Sequence, residues 1–214
     1  MIRVCLFMAL VCMMMVSCKP DGSDGKHEGH GYVDLGLSVK WATCNVGATS
    51  PEDYGHYFAW GETSTKSDYS SSNYPTYGLS YTELQSQGYI DSEGKLTPQY
   101  DAATANWGGD WRMPTKEEMR ELSKNCKWKW TTYKGVEGYN VKGPNGNSIF
   151  LPAAGIRHGS SLPYTGSSGR YLSSTSRDYD GDYYAFFLYF YSDNQYMESY
   201  DCPYYGQSVR PVVE

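Results

Sequence analysis

The run YYAFFLYFY, residues 183–191, constrains the fold more than any other segment of the chain. Aromatic residues are favoured in strands, and the polar SDNQ and the run YMESY that follow predict a β-hairpin. Because alternate side chains of a strand face opposite sides of a sheet, one of two sets is expected to face the core. These sets are Ala185, Phe187 and Tyr189, or else Phe186, Leu188 and Phe190. The other aromatic side chains then face outward.

Further short runs predict strands elsewhere. YVDLGLSVKWATCNVGA (32–48) contains two short β-like runs, punctuated by glycines. GYNVKGPNGNSIFLPA (138–153) places a Pro-Asn-Gly turn between two runs, which is typical of a hairpin. The last run, SVRPVVE (208–214), is expected to close a sheet, with Pro211 favouring an edge or a strand start.

Two helices are predicted from the signals at their ends. Asp101 can cap a short alanine-rich helix that stops at the glycines 108–109. Thr115 followed by Glu118 forms a capping box. A helix of about three turns from this box places an apolar set on one face, where it can pack on a sheet. The set is Met119, Leu122 and Cys126.

Residues 1–17 are predicted as a lipoprotein signal peptide. They contain one basic residue, Arg3, and an apolar run that is too short for a membrane span. The sequence MVSC resembles a lipobox, in which cleavage precedes the cysteine and a diacylglycerol is attached to its sulfur. Cys18 is therefore the expected lipidated residue. The alternative is an ordinary secretory signal with an incidental cysteine.

Residues 18–31 are predicted as a lipidated flexible tether, because residues 19–31 contain no large apolar residue and are rich in glycine and charge. His27 and His30 have the spacing of metal ligands, but a flexible tether cannot preorganise a site, so no metal is expected. The basic and then acidic start after Cys18 resembles export tags that send lipoproteins to the outer face of the outer membrane. An outer membrane lipoprotein facing the cell exterior is expected, with the periplasmic face as the alternative.

Residues 32–214 are predicted as a single domain, since a chain of 214 residues can bury one sizeable core. A long insertion is expected near residues 64–98. Serine, tyrosine, threonine and glycine occur there without a period, which is typical of a surface segment rather than of core.

The net charge bears on the class of binding partner, and the number of cysteines bears on disulfide formation. The formal net charge is -6 and no lysine follows Lys142, so nucleic acid is not an expected partner. After the signal and the lipidated residue are set aside, Cys44, Cys126 and Cys202 remain. One disulfide with a leftover thiol and three thiols are both open.

Six motifs together resemble the Fibrobacter succinogenes major paralogous domain family, which is abundant in lipoproteins of gut bacteria. In chain order they are YVDLGLSVKWATCNVGA, YFAWGE, NWGGDWRMPTKEEMREL, GNSIFLPAAG, YLSSTS and GQSVRPV, and they span residues 32–214. One departure is Tyr171-Leu172, where the family usually has Tyr-Trp. The resemblance implies an α+β, C-type-lectin-like fold with a twisted antiparallel sheet, about two helices and long irregular loops. That fold is similar to the one of formylglycine-generating enzymes.

An enzyme is the alternative function, either a formylglycine-generating-enzyme-like oxidase or a glycan-processing accessory protein. The chain contains no HExxH, GxSxG, P-loop or CxxC motif, so no catalytic residue and no cofactor is predicted. The copper-binding cysteine pair of those enzymes cannot be matched onto Cys126 and Cys202. Glu117, Glu118 and Glu121 are expected on a solvated helix surface.

Three aspartates, Asp178, Asp180 and Asp182, alternate as ligands do in the first half of a calcium loop. The second half of the segment does not match a calcium loop, because tyrosines 183 and 189 stand where the loop needs glycine and glutamate. An acidic loop tip without metal is therefore expected.

Large residues inside the ordered motifs are expected to be structural. Core packing is predicted for Trp41, Trp60, Trp107 and Trp111. Two arginines that lie within apolar runs, Arg112 and Arg210, are each expected to pair with a carboxylate or a carbonyl.

The C-terminal segment carries the functional prediction. Tyrosine beside serine, aspartate and asparagine is the composition of antibody paratopes, where rigid amphipathic rings supply contact area and small polar groups adapt. A glycan or protein ligand is expected. An adhesin and a binding surface diversified by a retroelement are two forms that such a protein can take. The alternative is a tyrosine-rich sheet face without a ligand. The predicted ligand-binding residues are Tyr179, Asp180, Asp182, Tyr183, Tyr196, Tyr200, Asp201, Tyr204 and Tyr205.

Overall fold

The computed structural model describes residues 24–214, with backbone alone at residues 197–201. The predicted signal peptide and Cys18 lie outside the described residues. Within them the chain is α+β, with three α-helices and twelve strands in three mostly antiparallel sheets.

The first sheet has the order β1-β2-β3-β12. Its strands are β1 (Gly25–His27), β2 (His30–Val33), β3 (Lys40–Ala42) and β12 (Val212–Val213). The two strands predicted within residues 32–48 are confirmed. The tether prediction is wrong for residues 25–31, because β1 and β2 form a hairpin in which His27 lies opposite His30.

The second sheet has the order β10-β9-β8-β11-β4 and contains the tyrosine-rich segment. Its strands are β4 (Tyr57–Phe58), β8 (Ser168–Tyr179), β9 (Asp182–Tyr191), β10 (Asn194–Asp201) and β11 (Gln207–Ser208). The predicted hairpin is the β9–β10 pair, in which Tyr196 lies opposite Tyr189. The short strand β11 runs parallel to β8, and the other pairs of this sheet are antiparallel.

The third sheet has the order β5-β6-β7. Its strands are β5 (Lys127–Tyr133), β6 (Val136–Lys142) and β7 (Ser148–Pro152). The hairpin predicted at residues 138–153 is the β6–β7 pair, with Val141 opposite Ile149.

Three helices are present in residues 24–214, one more than the two predicted. They are α1 (Tyr81–Ser86), α2 (Ala102–Trp107) and α3 (Lys116–Asn125). Asp101 caps α2 and the capping box of Thr115 and Glu118 begins α3, as predicted. The additional helix α1 begins at a second capping box, formed by Ser80 and Glu83. No helix in the described part of the chain is long and apolar enough to cross a membrane.

The predicted surface insertion near residues 64–98 contributes to the core, which corrects the sequence interpretation. Its buried side chains pack with Trp60 and with Leu172 of β8 in one hydrophobic cluster. They are Tyr69, Tyr74, Leu84, Ile90 and Leu96. Three of the five are aliphatic residues at irregular spacing, and the two tyrosines find partners for their hydroxyl groups on backbone oxygens. The segment therefore has no period but still buries apolar surface.

A second cluster lies on the other side of the β8–β9 pair. Leu188 and Phe190 of β9 pack there with Met119 and Leu122 of α3 and with the inner face of the third sheet. Trp41, Trp60 and Trp111 are fully buried and Trp107 is half-buried, in agreement with the predicted packing role.

Candidate functional site

Three tyrosines form a half-exposed patch at one end of the second sheet. Tyr196 of β10 stands opposite Tyr189 of β9, and their rings are nearly parallel, with centroids 6.1 Å apart. The Tyr191 ring lies 5.9 Å from Tyr189 and 5.8 Å from Tyr196. Side chains two residues apart on a strand share a face, so the three rings point to the same side of the sheet. We call Tyr189, Tyr191 and Tyr196 the tyrosine patch.

Arg170 borders the tyrosine patch. It lies directly opposite Tyr189 on β8, and its guanidinium carbon is 4.9 Å from the centre of the Tyr189 ring and 5.5 Å from that of Phe187. A guanidinium on an aromatic face is held by a cation–π interaction that also fixes the ring. The patch thus presents a cation beside phenol rings.

Hydroxyl groups of the patch are hydrogen-bonded to one another. The Tyr191 and Tyr196 hydroxyl oxygens are 2.8 Å apart, and Asn194 Nδ2 donates to the Tyr196 hydroxyl at 3.2 Å. The hydrogen bond with Tyr196 raises the pKa of Tyr191 above its ordinary value. Tyr191 therefore stays neutral at physiological pH, and its hydroxyl group can donate or accept hydrogen bonds.

The face of β9 that carries the tyrosine patch is buried at the beginning of the strand and partly exposed at its end. Tyr183 and Ala185 are on the same face as Tyr189, but they are buried in the cluster that includes Tyr74 and Leu96. Tyr189 and Tyr191 are half-buried, and Tyr196 is 39% exposed. The alternation of the strand is the same throughout, and only the cover changes along it.

A second group of aromatic rings surrounds Tyr204. Its ring lies 4.9 Å from Tyr205 and 6.1 Å from Tyr77, which is 63% exposed. The Tyr205 ring contacts His158 at 4.7 Å. A hydrogen bond with Cys202, together with burial, raises the pKa of Tyr204 well above its ordinary value. Tyr204 and Tyr205 are neighbours in sequence, and their rings contact each other as well as those of Tyr77 and His158.

The β8–β9 turn holds a third group, Tyr179, Asp180 and Asp182. Tyr179 is 52% exposed and lies 5.3 Å from the guanidinium of Arg177. Asp180 has a φ of 53°, a left-handed conformation that aspartate adopts more readily than most residues. The Gly181 carbonyl accepts from the Tyr81 amide at 2.9 Å, which attaches the turn to the first residue of α1.

The predicted ligand-binding residues therefore do not form one surface. Asp182 and Tyr189 are seven residues apart on β9, which separates the turn from the tyrosine patch by about 23 Å. Tyr183 is corrected outright, because it is buried and its hydroxyl lies 2.6 Å from Thr76 Oγ1. Tyr200 and Asp201 belong to β10, at positions where the side chains lie outside the described part of the chain.

Arg170, Tyr189 and Tyr191 were absent from the predicted ligand-binding set. The alternation of YYAFFLYFY already placed Tyr189 and Tyr191 on a common face. The exposure of Tyr189 and Tyr191 could not be predicted from the strand alone. The residues that bury Ala185 on the same strand come from the segment 69–96, which is remote in sequence.

Residues 24–214 contain no group of three or more histidine, cysteine, aspartate or glutamate side chains placed to hold a metal ion. Cys44, Cys126 and Cys202 are present as thiols, which is the second of the two open alternatives. Burial raises the pKa of Cys126 to about 11, so its reactive thiolate form is scarce at neutral pH.

No known protein family, curated protein or solved structure matches this chain. The candidate site rests on its own geometry.

Proposed function

We propose that this protein is a lipid-anchored binding protein of the outer membrane, exposed at the cell surface, that contacts a glycan or protein ligand through its tyrosines. We further propose that residues 32–214 are a C-type-lectin-like domain of the major paralogous domain family. The six ordered motifs support this assignment, and so do the mostly antiparallel sheets with long connections between them.

The observation that carries the binding proposal is the tyrosine patch itself. Part of each ring in the patch of Tyr189, Tyr191 and Tyr196 lies in solvent. Burying these rings would cost the sheet no backbone hydrogen bonds. A tyrosine loses little conformational entropy on binding, and its ring and hydroxyl serve apolar and polar contacts together. Here the mutual ring contacts fix the side chains before any ligand arrives, which lowers the entropic cost of binding further.

Both proposed ligand classes fit this chemistry. A sugar ring can stack on a phenol face while its hydroxyl groups bond to Asn194 or to a tyrosine hydroxyl. A protein partner can cover the exposed parts of the rings and hydrogen-bond to a tyrosine hydroxyl.

The lipid anchor at Cys18 sets where the patch would act. Six residues lie between Cys18 and Gly25, the first residue of β1, so these seven residue steps span at most about 25 Å. The domain is therefore proposed to lie close to the membrane surface rather than on a long stalk.

The test compares two purified variants on a glycan array and a host-protein array. Changing Tyr189 and Tyr196 together to alanine removes the patch, while Tyr164→Ala removes a tyrosine that is 62% exposed outside it. We expect the patch variant to lose binding at least tenfold and the Tyr164 variant to bind as the native protein does. Equal binding by all three proteins would reject the patch as the contact surface.

A further inference from the structure

A cavity of about 500 Å³ lies at the outer face of the third sheet. Its volume falls in the range of ligand sites in proteins. The sheet contributes Lys129, Thr131, Tyr133, Asn140, Ser148 and Phe150 to the lining. Pro51 and Thr43, which lie outside the sheet, also line the cavity, together with Val33 and Ile149 of the second hydrophobic cluster.

Strand alternation explains why these residues meet. Trp128 and Trp130 of β5 face inward, where both pack against Tyr139. The odd-numbered residues of β5 consequently face outward. The register places Lys129 opposite Asn140 and Asn140 opposite Phe150, so one row crosses all three strands.

The floor of the cavity is aromatic. The Phe150 ring covers Gly138, where a Cβ would lie 2.8 Å from Phe150 Cζ. The Tyr133 ring lies 5.3 Å from Phe150 and is 37% exposed. An ion pair of 3.0 Å between Lys134 and Glu52 connects the end of β5 to the loop that contains Pro51. The Tyr133 ring therefore lies at the mouth of the cavity, with Lys134 Nζ 5.3 Å from its centre and part of the ring in solvent.

The polar side chains of the lining are available. Thr131, Asn140 and Ser148 take part in none of the side-chain hydrogen bonds found among residues 24–214. Two hydroxyl groups and one amide can thus donate to and accept from a ligand. Neutral groups of this kind beside an aromatic ring suit a sugar.

Three lysines extend the same face beyond the cavity. Lys127 stands directly opposite Lys142, and Lys129 follows two residues along β5. All three are exposed, and none forms an ion pair with any carboxylate in the described part of the chain. Like charges directly opposite on neighbouring strands destabilise a sheet. An adjoining cavity of about 370 Å³ lies between Lys127, Lys142 and Asn145.

This concentration of positive charge is unexpected in a protein with a net charge of -6. An anionic group between Lys127 and Lys142 would remove their repulsion. Long polyanions such as nucleic acid are disfavoured by the negative charge of the rest of the molecule. A short ligand that combines sugar rings with acidic groups satisfies both the cavity and the lysines.

We propose that the outer face of the third sheet binds acidic oligosaccharides. One sugar ring stacks on Tyr133 and bonds to Thr131, Asn140 and Ser148, and carboxylates or sulfates of the neighbouring sugars reach Lys129, Lys127 and Lys142. This site lies on a different sheet from the tyrosine patch and does not depend on it.

Calorimetric titration of the purified protein tests the site with three probes. They are a trigalacturonate, its neutral methyl ester and a heparin-derived tetrasaccharide. We expect at least one acidic probe to bind, with an affinity that falls as the salt concentration rises. Where trigalacturonate binds, its methyl ester should bind at least tenfold more weakly. Failure of both acidic probes to bind, or equal binding of the ester and the acid, would overturn the proposal.

Variants locate the binding. Changing Lys127 and Lys142 together to glutamine should weaken the acidic probe at least tenfold without lowering the melting temperature, because it removes a repulsion. Tyr133→Ala should weaken the probe as well, whereas Lys124→Gln on α3 and Tyr196→Ala in the tyrosine patch should leave it unchanged. Unchanged affinity in the double lysine variant, or an oligonucleotide of equal charge that binds as tightly, would contradict the proposed site.

Discussion

Arg210 Nε donates to Asn45 Oδ1 at 2.9 Å in the centre of the molecule, where both side chains are fully buried. The two terminal guanidinium nitrogens donate to three backbone carbonyls, one in β3, one in the residue directly after β3 and one in β7. These acceptors are Ala42, Thr43 and Phe150. A single arginine therefore connects segments that are far apart in sequence, and each of its acceptors is neutral.

Replacing Arg210 by lysine should destabilise the protein strongly. An ammonium cannot reproduce the planar fork, so at least one buried acceptor would lose its donor, and the charge would remain buried. We expect the free energy of unfolding to fall by about 3 kcal/mol or more in urea titrations. Arg177→Lys, at a half-exposed position, is the control and should change it by less than about 1 kcal/mol. A small effect at Arg210 would mean that its hydrogen bonds are replaceable.

A second arginine pair gives a pH dependence. Arg112 donates to both carboxylate oxygens of Glu118, at 2.6 and 2.8 Å. Burial alone would raise the pKa of Glu118, but the hydrogen bonds from Arg112 and from the Thr115 amide outweigh it and lower that pKa below its ordinary 4.5. A carboxyl with a lowered pKa in the folded state stabilises the fold above its unfolded pKa, and this contribution is lost as pH falls.

Unfolding measured between pH 7 and pH 3 should show this loss. The stability difference between the native protein and Glu118→Gln is expected to be constant above about pH 5 and to shrink below the ordinary pKa of glutamate. Glu117→Gln, on the exposed side of the same helix turn, serves as the matched control. A difference that stays constant down to pH 3 would show that the ion pair contributes no net stability.

Local signals allowed much of the fold to be predicted. Asp101, the Thr115–Glu118 capping box and the Pro-Asn-Gly turn act within a few residues of sequence, and each was found where expected. Helix α1 was missed although Ser80 and Glu83 form the same kind of box, because the surrounding serines, threonines and glycines suggested a loop. Burial of Tyr74 depends on Trp60 and Tyr183, which no local pattern links to it.

The functional surface was harder to predict for the same reason. The composition identified tyrosine as the functional residue type, but Tyr183 is buried and Tyr196 is exposed in the same sheet. The lysine row of the third sheet was present in the alternation KWKW of residues 127–130. Its meaning depends on register, since Lys142 faces Lys127 only when β5 and β6 pair as they do.

The N-terminal hairpin is attached to the domain by an aromatic stack. The His30 and Trp107 rings are parallel within 4° and 3.8 Å apart, and Trp107 also contacts Trp111. In Trp107→Ala, amide exchange in β1 and β2 should accelerate at least tenfold while that of β6 is unchanged, because the hairpin loses a packing contact and is then held by its pairing with β3 and its contacts with Trp111. Uniform acceleration throughout the protein would instead indicate global destabilisation.

Tyr183 and Tyr196 separate the structural tyrosines from the proposed binding tyrosines. The Tyr183 hydroxyl is buried between Thr76 Oγ1 at 2.6 Å and the Tyr74 hydroxyl at 3.2 Å. Tyr183→Phe keeps the ring but leaves those groups without their partner, so the free energy of unfolding should fall by about 1–2 kcal/mol. Tyr196→Ala removes an exposed ring and should change stability much less. Binding to a ligand identified on the arrays should show the opposite order, with Tyr183→Phe unchanged and Tyr196→Ala weakened. If Tyr183→Phe weakened binding as much as Tyr196→Ala while the protein stayed folded, the ligand would have to reach the covered end of β9, and the division of that strand into a structural end and a binding end would be wrong.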